Sequence, residues 1–549
     1  MHFKSKLMLA LGAGAAFSMG VAGTTLAETP KRGGILNFVV ASKIPSYDAH
    51  RESTFGLIHP LRPFYSLLIR VDPENPQDPT AFLCDLCEGS IPTPTNDGKK
   101  YTFKIRKNVT FADGTKLTAH DIVMTHERII WPEKYPGAVS VRNSFFTMIE
   151  KVSAPDDYTV VFDLKYATTG FLPALATPYN FVYAKKDSDK HGYTWHTKNI
   201  NGTGGFTFVQ EVPGAFVEGK RRDGYHHMGA DGKPMPYLDG FKAIQAPKMA
   251  VRVQAIRGDR ASIEFRGFPP KTRDDLVNAL GDKITVQEGD WNCMFGASAN
   301  QNHEKTGKKY EDPRVRKALS LAWDRWGGSQ YLSKIALVRT VGGVVFPNHP
   351  HAATEAELTA MDVYKKDNKV RWDMAKKLLA EAGKSGMSVN LNNRAVDQPY
   401  KIVGTWYIDQ WKKVGIKAEQ SVLPTGPFFD NLRKKKDYDV SVDFNCQSVV
   451  NPIVDLGKFL SADKASNNYP GYIDRTLDNW YEEMNRMTDE KAQRALLRKF
   501  ESRLLDEQAH FMVAYWWFKI NPHRSYVKGW KQAPSHYLNQ HLDTVWLDK

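Results

Sequence analysis

The residues with the clearest chemical use are one arginine at a strand end and three tryptophans. Val389-Asn390-Leu391-Asn392-Asn393 reads as a strand, and Arg394 closes it ahead of a helical stretch. Strand ends face the cleft in open α/β lobes, and a guanidinium placed there can hold a carboxylate or phosphate through two parallel hydrogen bonds. A surface loop arginine is the competing account. Trp516 and Trp517 lie in the aromatic segment 512–518, where strand alternation sends one side chain to each face. Trp291 precedes Asn292-Cys293-Met294-Phe295. Each of these rings could stack on a ligand or simply pack in a core.

Other chemistries find less support. The chain contains no GxSxG, HExxH or Walker A pattern, so no enzyme motif stands out. His226-His227 and His349-Pro350-His351 are isolated pairs and read as solvated loops; no metal site is expected from them. Asn201-Gly202-Thr203-Gly204-Gly205 is glycine-rich but lacks the strand and helix that frame a phosphate loop, so its glycines read as backbone geometry. Cys84 and Cys87 form a C-x-x-C, with Cys293 and Cys446 isolated. A tight disulfide, two thiols, a redox pair or half a zinc site all fit the pair, although zinc would need a second pair at similar spacing. Cys293 and Cys446 could also bridge, and spacing alone does not fix the connectivity.

The elements that must position these groups follow from periodicity. A strand is expected at 35–40 and an apolar helical run around 61–69. Tyr101-Thr102-Phe103-Lys104-Ile105, Val109-Thr110-Phe111 and 159–164 read as strands. Thr118 with Asp121 is a capping-box start for a helix. In the second half, Asp312 caps and Pro313 opens a helix whose Val315, Leu319, Ala322 and Trp326 share a face, with Gly327-Gly328 as its stop. Helices at 372–382 and 400–414 end at Gly383 and Gly415. Strands follow at 389–391 and 438–444, then a helix at 492–504. Helices alternating with strands indicate an α/β architecture.

At 549 residues the chain exceeds the size of one core. Its 25% charged and 42% hydrophobic residues are those of an ordinary globular protein. Lys4 and Lys6, the apolar stretch 7–21 and Thr25-Leu26-Ala27 have the pattern of a secretory signal peptide cleaved after residue 27. A membrane anchor is the alternative, but the stretch is short for a span. No cysteine stands at the expected mature N-terminus, so a free periplasmic protein is expected, not a lipoprotein. Cleavage would lower the formal net charge from +14 by the two lysines. The remaining basic excess is dispersed, its densest run being Lys434-Lys435-Lys436, and no nucleic-acid motif accompanies it.

Several segments, in order, resemble one family. They are Tyr101 to Arg106, Val109 to Gly114, Leu117 to Val123, Gly202-Thr203-Gly204-Gly205-Phe206, Pro236-Tyr237-Leu238-Asp239-Gly240, Asp312 to Leu319 continuing to Asp324-Arg325, and Tyr472-Ile473-Asp474. Together they are similar to the extracellular solute-binding proteins of the peptide/nickel/opine class. Gly205 stands where that family usually has proline. The resemblance implies a type II periplasmic-binding-protein fold. Two α/β lobes would close on a ligand, with an extra β-rich subdomain in lobe one. It places lobe one at 28–287, its subdomain at about 81–195, lobe two at 288–515 and a return to lobe one at 516–549. It also implies a non-enzymatic, monomeric carrier without cofactor that delivers its solute to an ABC permease.

The same resemblance brings Tyr47 and His50 of the first loop near the ligand, and puts Trp291, Trp516 and Trp517 near the crossings between lobes. Peptide-binding members usually carry an aspartate where spacing back from Pro452 gives Ser448. Asn445, Gln447 and Ser448 would then form a neutral hydrogen-bonding wall, unless Asp443 takes the aspartate's place. That departure favours an opine-like, sugar-like or modified solute. The prevalence of peptides in the family favours a peptide or peptide-like one. A metal chelate, and a chaperone or sensor partner, are the further alternatives.

Overall fold

The computed structural model describes residues 28–549; the expected signal peptide lies outside them. Along the chain the elements that frame the site are β1 (Ile35–Val40), α1 (Phe55–Leu61), β2 (Lys100–Lys104), α2 (Ala119–Ile130), β3 (Ile149–Asp156), β4 (Thr159–Leu164), β5 (Phe206–Val212), β6 (Phe216–Arg221) and β7 (Gly240–Gln245). The second half adds β8 (Ile284–Ala299), α3 (Pro313–Leu321), α4 (Arg325–Ile335), β9 (Val338–Thr340), α5 (Asn368–Glu381), β10 (Ser388–Arg394), α6 (Ile402–Lys412), β11 (Lys417–Leu423), β12 (Val440–Cys446), α7 (Glu490–Ser502) and β13 (Met512–Arg524).

These strands build two principal sheets, one per lobe. The first runs β1-β7-β6-β5, with β1 parallel to β7 and the rest antiparallel. Apart from Asn37, β1 is apolar, and its second half, Phe38 to Val40, is covered on both faces. Leu36 and Phe38 enter the largest core, while Val39 packs with Ile256 and Phe268 on the other side. The second sheet runs β9-β13-β8-β12-β10-β11. A separate antiparallel sheet, β2-β4-β3, packs with α2 around its own apolar core, which includes Phe103, Ile122, Val160 and Phe162.

Two long strands connect the lobes. The far half of β13 leaves the second sheet to meet the first lobe, where Phe268 N donates to Ile520 O at 2.8 Å and Arg524 N to Ser262 O at 2.8 Å. β8 accompanies it, pairing Trp291 with Trp517 before a register shift. It then continues against β12 with Cys293 opposite Cys446. Those two cysteines are disulfide-bonded, as are Cys84 and Cys87.

Local signals explain most element ends. Asp121 accepts from Thr118 N at 2.8 Å at the start of α2, Asp312 accepts from Arg314 N at 2.8 Å at the start of α3, and Gly383 and Gly415 adopt φ of +65° and +86°. Three expectations need correction. The first helix lies earlier, at α1, because Thr54 caps it and Pro60 and Pro63 end it before residue 65. Val109-Thr110-Phe111 makes only an isolated bridge, Thr110 to Lys116. Gly327 and Gly328 lie inside α4 and do not stop α3, because Asp324 starts a new helix by accepting from Gly327 N at 3.0 Å. A Cβ on Gly328 would meet the Tyr515 hydroxyl at 2.2 Å, so glycine is required there for close packing. Among the described residues no helix is long and apolar enough to cross a membrane.

Candidate functional site

The interface between the lobes is built around Arg394, the last residue of β10. β10 enters the sheet as Val389 and Leu391 fill the core on one face, and its end delivers the arginine to the boundary. There Arg394 is fully buried. Its Nη2 donates to Thr54 Oγ1 at 2.8 Å and Ser42 Oγ at 3.3 Å, both from the first lobe. Its Nε donates to Thr425 Oγ1 at 3.0 Å and its Nη1 to Tyr400 OH at 3.4 Å, both from the second. Ser42 and Thr425 hydrogen-bond each other at 2.8 Å. Three rings line the guanidinium, Phe55 at 5.0 Å, Tyr400 at 5.4 Å and Phe429 at 5.4 Å. All four of its hydrogen-bond acceptors are hydroxyls, and no carboxylate pairs with it among the described residues.

A second arginine approaches from the first lobe. Arg266 is 1% exposed, and its guanidinium lies 4.6 Å from the Phe55 ring, 5.0 Å from Trp517 and 5.8 Å from Tyr400. Its Nε and Nη2 have no hydrogen-bond partner, nor has the Trp517 indole N–H. Burial pulls the Arg266 pKa down to about 10. Lys519, also buried, lies over Trp291 and Trp530, and burial pushes its pKa down to about 7 against the pull of Glu264. Trp291 stands edge-on to Trp517 at 4.6 Å and donates its indole N–H to His536 Nδ1 at 2.7 Å. Burial and the Lys519 charge bring His59 down to about 3, so this histidine is neutral.

Next to this layer, Phe444 and Tyr537 lead into a small cavity of about 30 Å³. Its polar lining comes from Ser53 and Arg142 of the first lobe and Asn445, Ser448, Asp455 and Lys458 of the second. Space of that size holds a water or one small polar group. Asp455 is buried, and burial raises its pKa to about 7 although Ser448 N donates to it at 3.1 Å. Asn445 Nδ2 holds the Asp455 main-chain carbonyl at 2.9 Å. Gln447 N donates to Asn292 O at 2.7 Å, while its buried side-chain amide has no partner.

The structure therefore brings Arg394, Trp291, Trp517, Asn445, Gln447 and Ser448 to or beside the boundary between lobes. It places three others elsewhere. Trp516 alternates into the second lobe's core and donates to Gly343 O at 2.9 Å. Tyr47 hydrogen-bonds Glu211 within the first lobe. His50 is held by Arg128 at 2.6 Å in a buried network with Asp48. Asp443 does not replace the missing aspartate, because Lys458 Nζ pairs with it at 2.5 Å and Ser298 Oγ donates to it at 3.1 Å. Asp455 is the carboxylate that faces the cavity. Sequence spacing missed it because it lies beyond Pro452, where the turn Pro452–Ile453 and the short 3-10 helix Val454–Phe459 bring it back to Ser448 N. Arg266 was missed because its segment carries no strand or helix signal. His226 also departs from the solvated-loop expectation. It is buried, and with His227 and Asp85 it forms a group whose candidate ligand atoms lie within 4.8 Å of one another. His227 Nε2 meets Asp85 at 2.8 Å, and Arg62 already pairs with that carboxylate at 3.4 Å.

Two principal sheets joined by two long strands agree with what comparison with known proteins finds. Residues 85–467 match the family described as bacterial extracellular solute-binding proteins, family 5 Middle. The chain belongs to this family. Among its relatives, the periplasmic oligopeptide-binding protein OppA of Escherichia coli (strain K12) is 24% identical over 453 residues, covering 79% of each chain. Solved structures agree in fold. Haemophilus influenzae OppA, in complex with the peptide RPPGFSPFR, superposes with a TM-score of 0.80 at 19% identity, over 94% of this chain and 100% of that one. The binding protein AgaA in complex with agropinic acid, from A. tumefacien R10, gives 0.78 at 19% identity over 94% and 99%. The two-lobe fold of this solute-binding protein is thus the fold of binding proteins that hold a peptide in one structure and agropinic acid in another.

Proposed function

We propose that this solute-binding protein is the substrate-binding component of an ABC importer. It captures a peptide or peptide-like solute between its lobes and delivers it to an inner-membrane permease. It would be secreted through residues 1–27, work as a free monomer in the periplasm, and act as a carrier without catalysis. The division into 28–287 with 516–549 against 288–515, with 81–195 as the subdomain, is part of this proposal.

One observation carries the reading. Arg394 is a buried guanidinium with no carboxylate, satisfied by hydroxyls from both lobes. Burying a charge without a counter-charge is costly, and hydroxyls that can rotate away leave its fork free for a ligand carboxylate. A ligand that contacts both lobes favours the closed arrangement over the open one. Asp455 supports a peptide-like ligand at the other end, since a buried carboxylate with a pKa near 7 is stabilised in its ionised form by an ammonium group. The second reading, an opine-like or sugar-like solute held by the same trap, is favoured by Ser448 standing where peptide binders carry an aspartate.

A thermal-shift screen of residues 28–549 against peptides, opines, oligosaccharides and metal chelates tests the proposal. A ligand of the folded state raises the melting temperature in proportion to the logarithm of its concentration over Kd. A shift with di- to oligopeptides that is lost in Arg394→Gln supports the reading. A shift confined to sugars or opines replaces it with the second.

A further inference from the structure

We infer that the cleft holds a second anion seat, formed by Arg266 and Trp517 beside Arg394, and that the captured solute carries two acidic groups. The inference rests on the proposed capture of a peptide-like ligand and adds the charge that ligand must have.

Other buried arginines show what a purely structural role requires. Arg62, Arg70 and Arg128 pair with Asp85, Asp543 and Asp48. Arg316 and Arg325 lack such partners, but main-chain carbonyls cap them: Arg316 Nη1 reaches Tyr310 O at 2.7 Å, and Arg325 Nε reaches Val513 O at 2.7 Å. Arg266 has neither. Two of its donors are buried and unpartnered, and so is the adjacent Trp517 indole N–H. All three are donors, so what satisfies them must accept hydrogen bonds. Leaving buried donors unpaired is costly, and more so when they are charged.

Charge points the same way. Arg266 and Arg394 flank one ring, Phe55, at 4.6 and 5.0 Å, and Lys519 is buried nearby over Trp291. Their one close acid is Glu264, whose carboxylate accepts from Arg266 N at 3.2 Å and Gly267 N at 2.9 Å and so faces its own main chain. One ligand carboxylate on Arg394 would leave the Arg266 donors unpartnered. A second acidic group, held by the Arg266 Nε–Nη2 edge and the Trp517 N–H, satisfies the remaining donors and offsets the charge. The pattern fits a solute such as an acidic dipeptide or a dicarboxylated amino-acid conjugate. It does not fit a neutral sugar, which brings no charge to this layer.

The test uses two probes on the full mature chain. The first is the matched pair Ala-Glu and Ala-Gln, identical except for one carboxylate. The second is sulfate, titrated against chloride at constant ionic strength as a doubly charged anion with no peptide character. The expected results are at least tenfold tighter binding of Ala-Glu and sulfate stabilisation of the wild type. Both are abolished in Arg266→Gln and partly kept in Arg266→Lys. Equal binding of the two peptides with no sulfate effect overturns the anion seat and leaves peptide capture standing. A sulfate effect lost in Arg266→Gln without binding of either peptide supports the seat and removes the peptide reading. A structural Arg266 is excluded by the unliganded melting temperature. It should hold or rise in Arg266→Met, where a buried unpaired charge is gone, and a fall of more than about ten degrees would overturn the proposal.

Discussion

Arg394 Nη2 donates to Thr54 Oγ1 at 2.8 Å, joining the end of a second-lobe strand to the residue that caps the first helix of lobe one. Thr54 Oγ1 also accepts from Gly56 N at 3.1 Å, so one hydroxyl serves helix and cleft together. Arg433 and Glu52 make a second contact across the boundary at 2.9 Å. The described conformation is therefore a closed one, held at its centre by a charge that a ligand can take over.

Thr54→Val should separate these roles. It removes a helix cap worth about 1 kcal/mol and one acceptor of Arg394, while leaving the other three hydroxyls in place. The expected outcome is a modest fall in melting temperature with ligand affinity changed less than tenfold. Calorimetric unfolding with a parallel binding titration checks it.

Asp455 should make stability depend on pH with a definite sign. Its folded pKa is raised to about 7, above the unfolded value near 4. The folded protein thus binds the extra proton between those values, and stability is lost as pH rises from about 4 through 7. Asp455→Asn should flatten that slope and be more stable than wild type at pH 8, by up to about 4 kcal/mol. Urea unfolding at pH 5 and pH 8 gives the comparison. Lys519 acts in the opposite direction. Its pKa is depressed to about 7, so its cost is fully felt below pH 7 and relieved as pH rises toward its unfolded value near 10. Lys519→Met should therefore stabilise more at pH 6 than at pH 9.

The two disulfides should contribute unequally. Cys293–Cys446 closes a loop with a sequence separation of 153, and Cys84–Cys87 one of 3. In the chain-entropy account the long loop is worth up to about 5 kcal/mol and the short one far less. The double variant Cys293→Ala with Cys446→Ala should lower the melting temperature well beyond Cys84→Ala with Cys87→Ala. Scanning calorimetry of the two variants checks the order.

Gly204→Ala should destabilise strongly without touching ligand chemistry. A Cβ there would lie 2.4 Å from the Pro63 carbonyl oxygen and 2.5 Å from Phe64 C, contacts with backbone that cannot move cheaply. The expected loss is about 2–4 kcal/mol, with no nucleotide affinity to lose. This is the geometric role that the glycine-rich loop indicated in the sequence.

Strand and helix identities were legible where one local force dominates. The largely apolar stretch of β1, the Asp312-Pro313 start of α3 and the glycine stops at Gly383 and Gly415 are such places. Arg394 was legible as a strand-end guanidinium for the same reason. What the sequence hid depends on long-range contacts. Arg266 lies in an irregular segment and acquires meaning only when β13 brings Trp517 against it. Asp455 is one acid among many until the turn Pro452–Ile453 and the short helix after it bring it back to Ser448 N. Tyr47 and His50 have the right chemistry and loop, but Glu211 and Arg128 bind them first within lobe one.

The most direct test of ligand capture at Arg394 is a titration of wild type and Arg394→Gln with di- and tripeptides, read by isothermal calorimetry. The account predicts saturable one-to-one binding to wild type. In the variant it predicts affinity at least 100-fold weaker, as expected for loss of two charge-assisted hydrogen bonds at about 1.5–3 kcal/mol each, with an unliganded melting temperature close to wild type. Equal affinity in the two proteins, or no heat with any peptide or peptide-like solute, would contradict it.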